Sequence, residues 1–445
     1  MNATSTLARP TEPPFMLPTA PQLPPTEARR LAADWQRGAA FVETDLPAYL
    51  QDAYQLDITG QYAEHPTRSP IGKASGQLSL NLRQVEADAA AGLGFVVLKT
   101  VIAQDEGGQQ AMAAWATPET HMTVEPIAGR RIARLGWTVT WKGRGWSESI
   151  AAYLRLLQAA VQVGRSTGMV VAPSCKYHLP GPGEAGYREG EYRHTTRELA
   201  ASWHAAGAAG PLIVEKDFSP TLAGSDLASQ QAQTLDWLRV VPRLVKEALP
   251  DPADVSVGMK VMNTLFDDEF QVAMLRELAV AAPPHRADYI TYANRLFDPR
   301  RRAGDTVGAA YGGPDLSHRN LTVLDAARRQ ARAEGWLDAL PELSGTGDVS
   351  SGRIAVEYGL RGATSVQCHT LFQLPDAYYG SPAAGQQASK SAKALHLLYF
   401  HPVEGLVPWL LHLRHHEGMR TSEGLTRWRD LATVGASAES PAGVR

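Results

Sequence analysis

Two short turns carry the first chemical signal in this chain. Gly345-Thr346-Gly347 closes a stretch that begins at Glu342, and His369-Thr370 closes Ser365–Cys368, with a helical pattern over Gly352–Leu360 between them. Glycine lets backbone amides approach an anion closely, and a helix N-terminus adds a favourable dipole, so two such turns side by side suit a phosphate. A glycine-rich turn on its own is more often structural; the second turn, one unit later, is what favours a ligand. Lysines carry the second signal. Lys99, Lys216 and Lys260 lie at or near the ends of apolar, β-branched runs. A buried ammonium there needs a carboxylate partner or an anionic ligand. Glu215 and Asp217 are the nearest carboxylates in sequence, and Lys142, Lys176 and Arg193 add cations in neighbouring segments. Salt bridges and a bound acid are both open at this point.

The elements that must position these groups follow from periodicity. From Ser69 onward, short apolar strands alternate with amphipathic helical stretches. Strands are predicted at Ile71–Ala74, Phe95–Lys99, Met169–Ala172, Leu212–Lys216, Ser256–Val261, Tyr289–Ala293, Glu342–Ser344 and Ser365–Cys368. Helices over Leu80–Ala91, Ser147–Gly164, Thr195–Ala206, Ser229–Ala248, Asp267–Ala281, Asn320–Glu334 and Gly352–Leu360 connect them. Eight strands with crossover helices predict an α/β fold, a (β/α)8 TIM barrel, with a doubly wound open sheet as the alternative. A hairpin excursion is expected after strand 2, over Thr117–Thr140, and a long loop after strand 3, "CKYHLPGPGEAGYREGEYRH". That loop would hang over the C-terminal mouth, where barrel enzymes keep their active sites. The domain reading is a Pro-rich leader at 1–27, an N-terminal helical extension at 28–68, the barrel at 69–380, and C-terminal helices with a polar tail at 381–445.

Composition narrows the class. The 445 residues are 44% hydrophobic and 20% charged, with a formal net charge of -3, as in an enzyme with ample core. No long basic run favours a nucleic-acid partner. Two cysteines, Cys175 and Cys368, are too few for a disulfide framework, a zinc cluster or an iron–sulfur cluster, and suit a reducing, cytoplasmic setting. The leader lacks the basic and apolar regions of a secretory signal, and no run reaches the ~18 apolar residues of a membrane helix. Neither a metal nor a membrane partner is expected.

Position by position, the segment from Gly345 to Thr370 resembles the dihydroorotate dehydrogenase family, which has a GTGG turn followed by "tG.da.e.l..GA..vQ.gT". Upstream, "SPIGKASGQLS" is similar to the family's first strand and "GLGFVVLKTV" to its second. "EKDFSPTLAG" resembles its fourth-strand motif, "VGMKVM" its fifth strand and "ITYANRLFDP" its sixth. "AYGGPDLSHRNLTVLDAAR" resembles the glycine pair and helix that follow, and "WLLHLRHHEGMRTSEGLTRWRDL" the closing helices. The likeness runs from Ser69 to Leu431.

That resemblance implies FMN as cofactor, its phosphate held by Gly345, Thr346, Gly347, His369 and Thr370, with Gly312 and Gly313 beside them. Lys260 would sit at the flavin N1–C2=O edge, Lys99 and Thr100 would contact the ring and border the substrate, and Ala74, Ser75 and Gly76 would pack its face. Asn294 would contact flavin or substrate. Ser219 takes the position of the catalytic base, with Thr221 and Asp217 as relay members and His178 or Tyr177 as substitutes.

The departures from the family pattern point elsewhere for the substrate. Asparagines that clamp an orotate ring are replaced by Lys216 and Thr221, and Lys142 stands near a third. The expectation is an FMN-dependent oxidoreductase acting on a CH–CH or CH–NH group of an acidic, non-orotate small molecule. Lys99, Lys216 and Ser219 are its expected catalytic residues. Lys216 would point into the mouth toward the substrate carboxylate, with Lys142, Thr221, Asn294 and His178 around it. Dihydroorotate oxidation itself, a dihydrouridine synthase-like activity on RNA, and a non-redox flavin protein are the alternatives. A redox partner protein and a homodimer stay open.

Overall fold

The computed structural model describes residues 14–39, 45–116, 122–141, 145–181, 183–184, 186–218, 231–303, 306–380, 387–419 and 424–438. The chain enters through α1 (Pro25–Arg37), α2 (Leu46–Tyr54), β1 (Leu56–Asp57) and the hairpin β2 (Gly60–Tyr62)–β3 (His65–Thr67). Then β4 (Ile71–Lys73), α3 (Leu82–Ala91), β5 (Phe95–Val97) and its continuation β6 (Val101–Ile102) begin the alternation. The expected hairpin follows as β7 (Met122–Ala128)–β8 (Leu135–Trp141). Next come α4 (Ile150–Thr167), β9 (Val170–Ala172), β10 (Ser174–Lys176), α5 (Glu189–Ala205), β11 (Leu212–Asp217) and α6 (Gln231–Lys246). After β12 (Val255–Met262), α7 (Asp268–Val280) and β13 (Tyr289–Asn294), a second hairpin, β14 (Leu296–Ala303)–β15 (Thr306–Tyr311), precedes α8 (Pro314–Glu334). The series ends with β16 (Glu342–Thr346), α9 (Gly352–Leu360), β17 (Ala363–Cys368), α10 (Lys390–Phe400), α11 (Leu406–His416), β18 (Thr426–Arg427) and α12 (Leu431–Ala438).

Ten strands form one parallel sheet in the order β6-β10-β11-β12-β13-β16-β17-β4-β5-β9, an order compatible with a TIM-like barrel. All eight residues of β12 are buried, as expected of a strand covered on both faces. Side chains at helix starts cap several of the helices. Asn81, Ser149, Asp267 and Ser351 each accept from a backbone N–H three residues on, which satisfies donors the helix leaves unpaired. Near the N-terminal strand ends Tyr62 stacks on Phe95 at 4.0 Å and meets Tyr289 edge-on at 5.0 Å. Gly72 and Gly258 make room there, since a Cβ on either would enter the Phe95 or the Tyr289 ring.

Several boundaries differ from the sequence reading, among them α8, which starts at Pro314 rather than Asn320. The third strand resumes after Pro173 as β10, so Lys176 is a strand residue, and α5 absorbs Glu189 to His194 of the long loop. The β14–β15 hairpin has no counterpart among the predicted elements. Leader residues are also tied down: the Glu357 carboxylate on α9 accepts from the Met16 and Leu17 N–H groups at 3.1 and 2.9 Å. Among the described residues no helix is long and apolar enough to cross a membrane.

Candidate functional site

The interior of the sheet holds a carboxylate. Glu215, fully buried on β11, accepts from Thr291 Oγ1 at 2.9 Å, Gln367 Nε2 at 2.8 Å and Tyr62 Oη at 3.3 Å on one oxygen. Its other oxygen receives Lys260 Nζ at 3.2 Å. Donors from β12, β13, β17 and the β2–β3 hairpin therefore converge on one residue of β11, which fixes Glu215 as inward-facing. Strand alternation then turns Asp217 inward too, in register with Lys260. Lys176 Nζ lies 3.8 Å from Asp217 Oδ2 and 4.8 Å from the centre of the Trp115 ring.

Above this floor the structure brings together several of the residues singled out from sequence. Lys99 and Thr100 are buried between β5 and β6. Thr100 Oγ1 links Ser75 Oγ at 2.9 Å and Ser174 Oγ at 3.0 Å. Ala74 and Gly76 are buried beside Ser75, and the His369 imidazole fills the place where a Gly76 side chain would go. Gln373 Nε2 and His369 Nε2 are 2.6 Å apart. The imidazole is held neutral, its pKa lowered to about 3 by burial first and then by Arg295, Lys260, Lys99 and Lys73. Arg295 donates to the Val139 and Ala310 carbonyls, tying both hairpins to the end of β13, and Asn294 is half-buried next to it.

Lys216 is where the sequence reading goes astray. It is fully buried, donates to the Asp217 carbonyl at 2.9 Å and lies over the Phe218 ring. Its parity is that of Val214 and Phe218, opposite to Glu215 and Asp217, and its register partner on β10 is Cys175. Lys216 therefore leaves β11 on the face opposite to Glu215, its ammonium held at the end of its own strand. A one-residue slip in aligning a strand moves a side chain to the other face, and Asp217 is the residue that stands beside Lys260. His178 is buried near the mouth loop, 3.1 Å from Glu184, its pKa lowered chiefly by burial. The Tyr177 hydroxyl pairs with Thr196 on α5, 2.8 Å away. Arg193 is exposed on α5. Ser219, Thr221 and Lys142 lie outside the described residues.

The two turns end neighbouring strands, as expected, but the glycines of the first have internal reasons. A Cβ on Gly345 would enter the Tyr358 ring, and one on Gly347, at φ 101°, would lie 2.7 Å from both the Ala293 carbonyl and Asn320 Nδ2. Asn320 and Tyr358 bond the Thr346 carbonyl. Thr370 opens a short 3-10 turn to Gln373. Gly313 caps α8, and the Gly312 N–H donates to Thr138 Oγ1 at 3.0 Å. The residue after Gly347 is Asp348, which accepts from Ser317 Oγ at 2.8 Å with Arg134 at 4.0 Å. Burial pushes its carboxyl pKa up. Arg134 comes from the β7–β8 hairpin and also reaches Ser350 Oγ at 2.8 Å. Ion pairs Arg130–Asp298 and Arg301–Glu125, at 2.7 and 2.6 Å, fasten the two hairpins to each other.

Sequence reasoning missed four participants: the Glu215–Lys260 pair as a unit, Lys176 as a strand-end cation, Arg295, and Arg134. Pro173 masked the resumed strand that carries Lys176. The others are brought in by pairing across the sheet or by hairpins that fold back, which no local pattern signals. No protein-family model matches this chain, and a search among curated proteins finds no match.

Proposed function

We propose that this chain is an FMN-dependent oxidoreductase built on a closed (β/α)8 barrel. Closure is supported by two split strands: β5 pairs with β9, while their continuations β6 and β10 pair with each other. Counted as one strand each, they let the order run through eight strands and return to its start. The observation that carries the function is the set of buried groups Lys99, Lys260 and neutral His369, the last packed against Gly76, with the small residues Ala74 to Gly76 alongside. A flat, electron-accepting ring that gains negative charge on reduction suits that setting.

The residues present fit the cofactor. Among the described residues the Gln373 side-chain amide oxygen is buried without a hydrogen-bond partner beside His369, an acceptor available to a ring N–H. The phosphate end would use the Gly347 turn, Thr370 and Arg134. Asp348, whose carboxyl pKa burial raises, stands beside Arg134 there. When bound, FMN would supply two-electron hydride chemistry. The chain's own residues would orient the ring through Lys260 and Lys99, and the paired hairpins would exclude water. Proton transfer at the substrate is assigned to Ser219, which directly follows Phe218, with Asp217 adjacent in the mouth. An acidic substrate remains the reading, with Lys176 rather than Lys216 as the group that meets its carboxylate. Both cysteines are buried free thiols, which suits a cytoplasmic protein.

Purified protein should be yellow and release about one FMN per chain on denaturation. Anaerobic bleaching should occur with a carboxylate-bearing substrate and not with dihydroorotate. Colourless protein that refuses added FMN would overturn the flavin reading. Rapid, saturable bleaching by dihydroorotate would return the chain to dihydroorotate oxidation.

A further inference from the structure

Lys260 is the cation on which the flavin reading leans most, and it is buried. A buried ammonium needs a firmly held anion beside it. Glu215 is such an anion. It is fully buried, and Thr291, Gln367 and Tyr62 together satisfy the oxygen that Lys260 does not use. A carboxylate fixed by three neutral donors cannot swing away, so the ammonium at 3.2 Å is fixed as well.

We propose that Glu215 is a positioning residue that holds Lys260 in place beneath the C-terminal mouth, and so sets the electrophilicity of the bound flavin through that lysine. The inference rests on the flavin reading and goes beyond it. Without the carboxylate, the ammonium turns to Asp217, its register neighbour on β11. That turn withdraws positive charge from the ring.

Sulfite is a suitable probe, because it adds to flavin N5 and the adduct carries negative charge that a nearby cation stabilises. Titration of the flavin-loaded protein at constant pH, read by loss of the flavin absorbance, gives its Kd. Glu215→Gln should weaken sulfite binding at least tenfold while the FMN content stays near one per chain. Lys260→Met should weaken it similarly, and adding E215Q to K260M should change it less than twofold, since the glutamate acts through the lysine. A merely structural role would move melting temperature without this coupling. Should E215Q fail to fold, Glu215→Asp keeps the charge but shortens its reach, and a several-fold loss is expected from it. Wild-type sulfite affinity in E215Q or E215D, or equal losses from E215Q in both backgrounds, would overturn the inference while leaving the flavin reading intact. Wild-type protein that takes up no flavin would instead remove the reading beneath it.

Discussion

Replacing Lys216 by Met separates the two places this lysine could serve. Its ammonium is fully buried, and its pKa is pushed from an ordinary value of 10.5 down to about 7 by burial first and then by Lys176, while Asp217 and Cys175 pull the other way. Between those values the unfolded chain holds a proton that the folded chain has released. Folded stability therefore rises with pH through that window, by up to ~1.4 kcal/mol per unit. The penalty is complete below about pH 7, amounts to roughly 5 kcal/mol there, and is gone near pH 10.5. Methionine has similar length and no charge, so Lys216→Met should be the more stable protein at neutral pH. From pH 7 to pH 9 wild type should gain about 2 kcal/mol on the variant. Equilibrium urea denaturation of both proteins at the two pH values measures this difference, in which groups common to both cancel. FMN content and the KM for substrate should be unchanged, because Lys216 leaves β11 on the face opposite to Glu215 and its ammonium is taken up by the Asp217 carbonyl. Parallel stability curves would refute the burial argument. A tenfold rise in KM with flavin retained would refute the orientation, and return Lys216 to the mouth.

Three further perturbations address the phosphate end and the leader. Gly347→Val should unfold the protein or lower its melting temperature sharply whether or not FMN is present, because the new Cβ meets the Ala293 carbonyl and Asn320; Arg134→Ala should instead weaken FMN binding about tenfold with the fold intact, the share of one charge-assisted contact, as read by FMN titration. Glu357→Ala removes the acceptor of the Met16 and Leu17 N–H groups and leaves Arg361 with Asp325 as its remaining carboxylate. A loss of about 3 to 5 kcal/mol is expected, together with faster proteolytic removal of the leader; an unchanged cleavage rate would mean that the leader is held by other contacts.

The elements of this protein were legible in its sequence because local physics writes them there. Each of the eight predicted strand segments recurs as a strand, from Ile71 to Cys368, and the hairpin expected around Thr117–Thr140 is present as β7 and β8. Period-two and period-3.6 burial, and capping residues such as Asn81 and Ser351, need only neighbours along the chain. The turns at Gly347 and His369 were visible for the same reason. What the sequence could not decide is which face each strand-end residue presents, because that depends on register across the sheet. Lys216 and Asp217 exchange roles with a slip of one residue, and only the convergence of Lys260, Thr291, Gln367 and Tyr62 on Glu215 settles the parity. Gly347 likewise looked like a phosphate glycine, whereas close packing against Ala293 and Asn320 already requires it. Arg134 and Arg295 join the mouth through hairpins whose return path is set by ion pairs such as Arg130–Asp298 and Arg301–Glu125. Those contacts link residues far apart in the chain, where no local periodicity reaches, so tertiary structure alone assigned them.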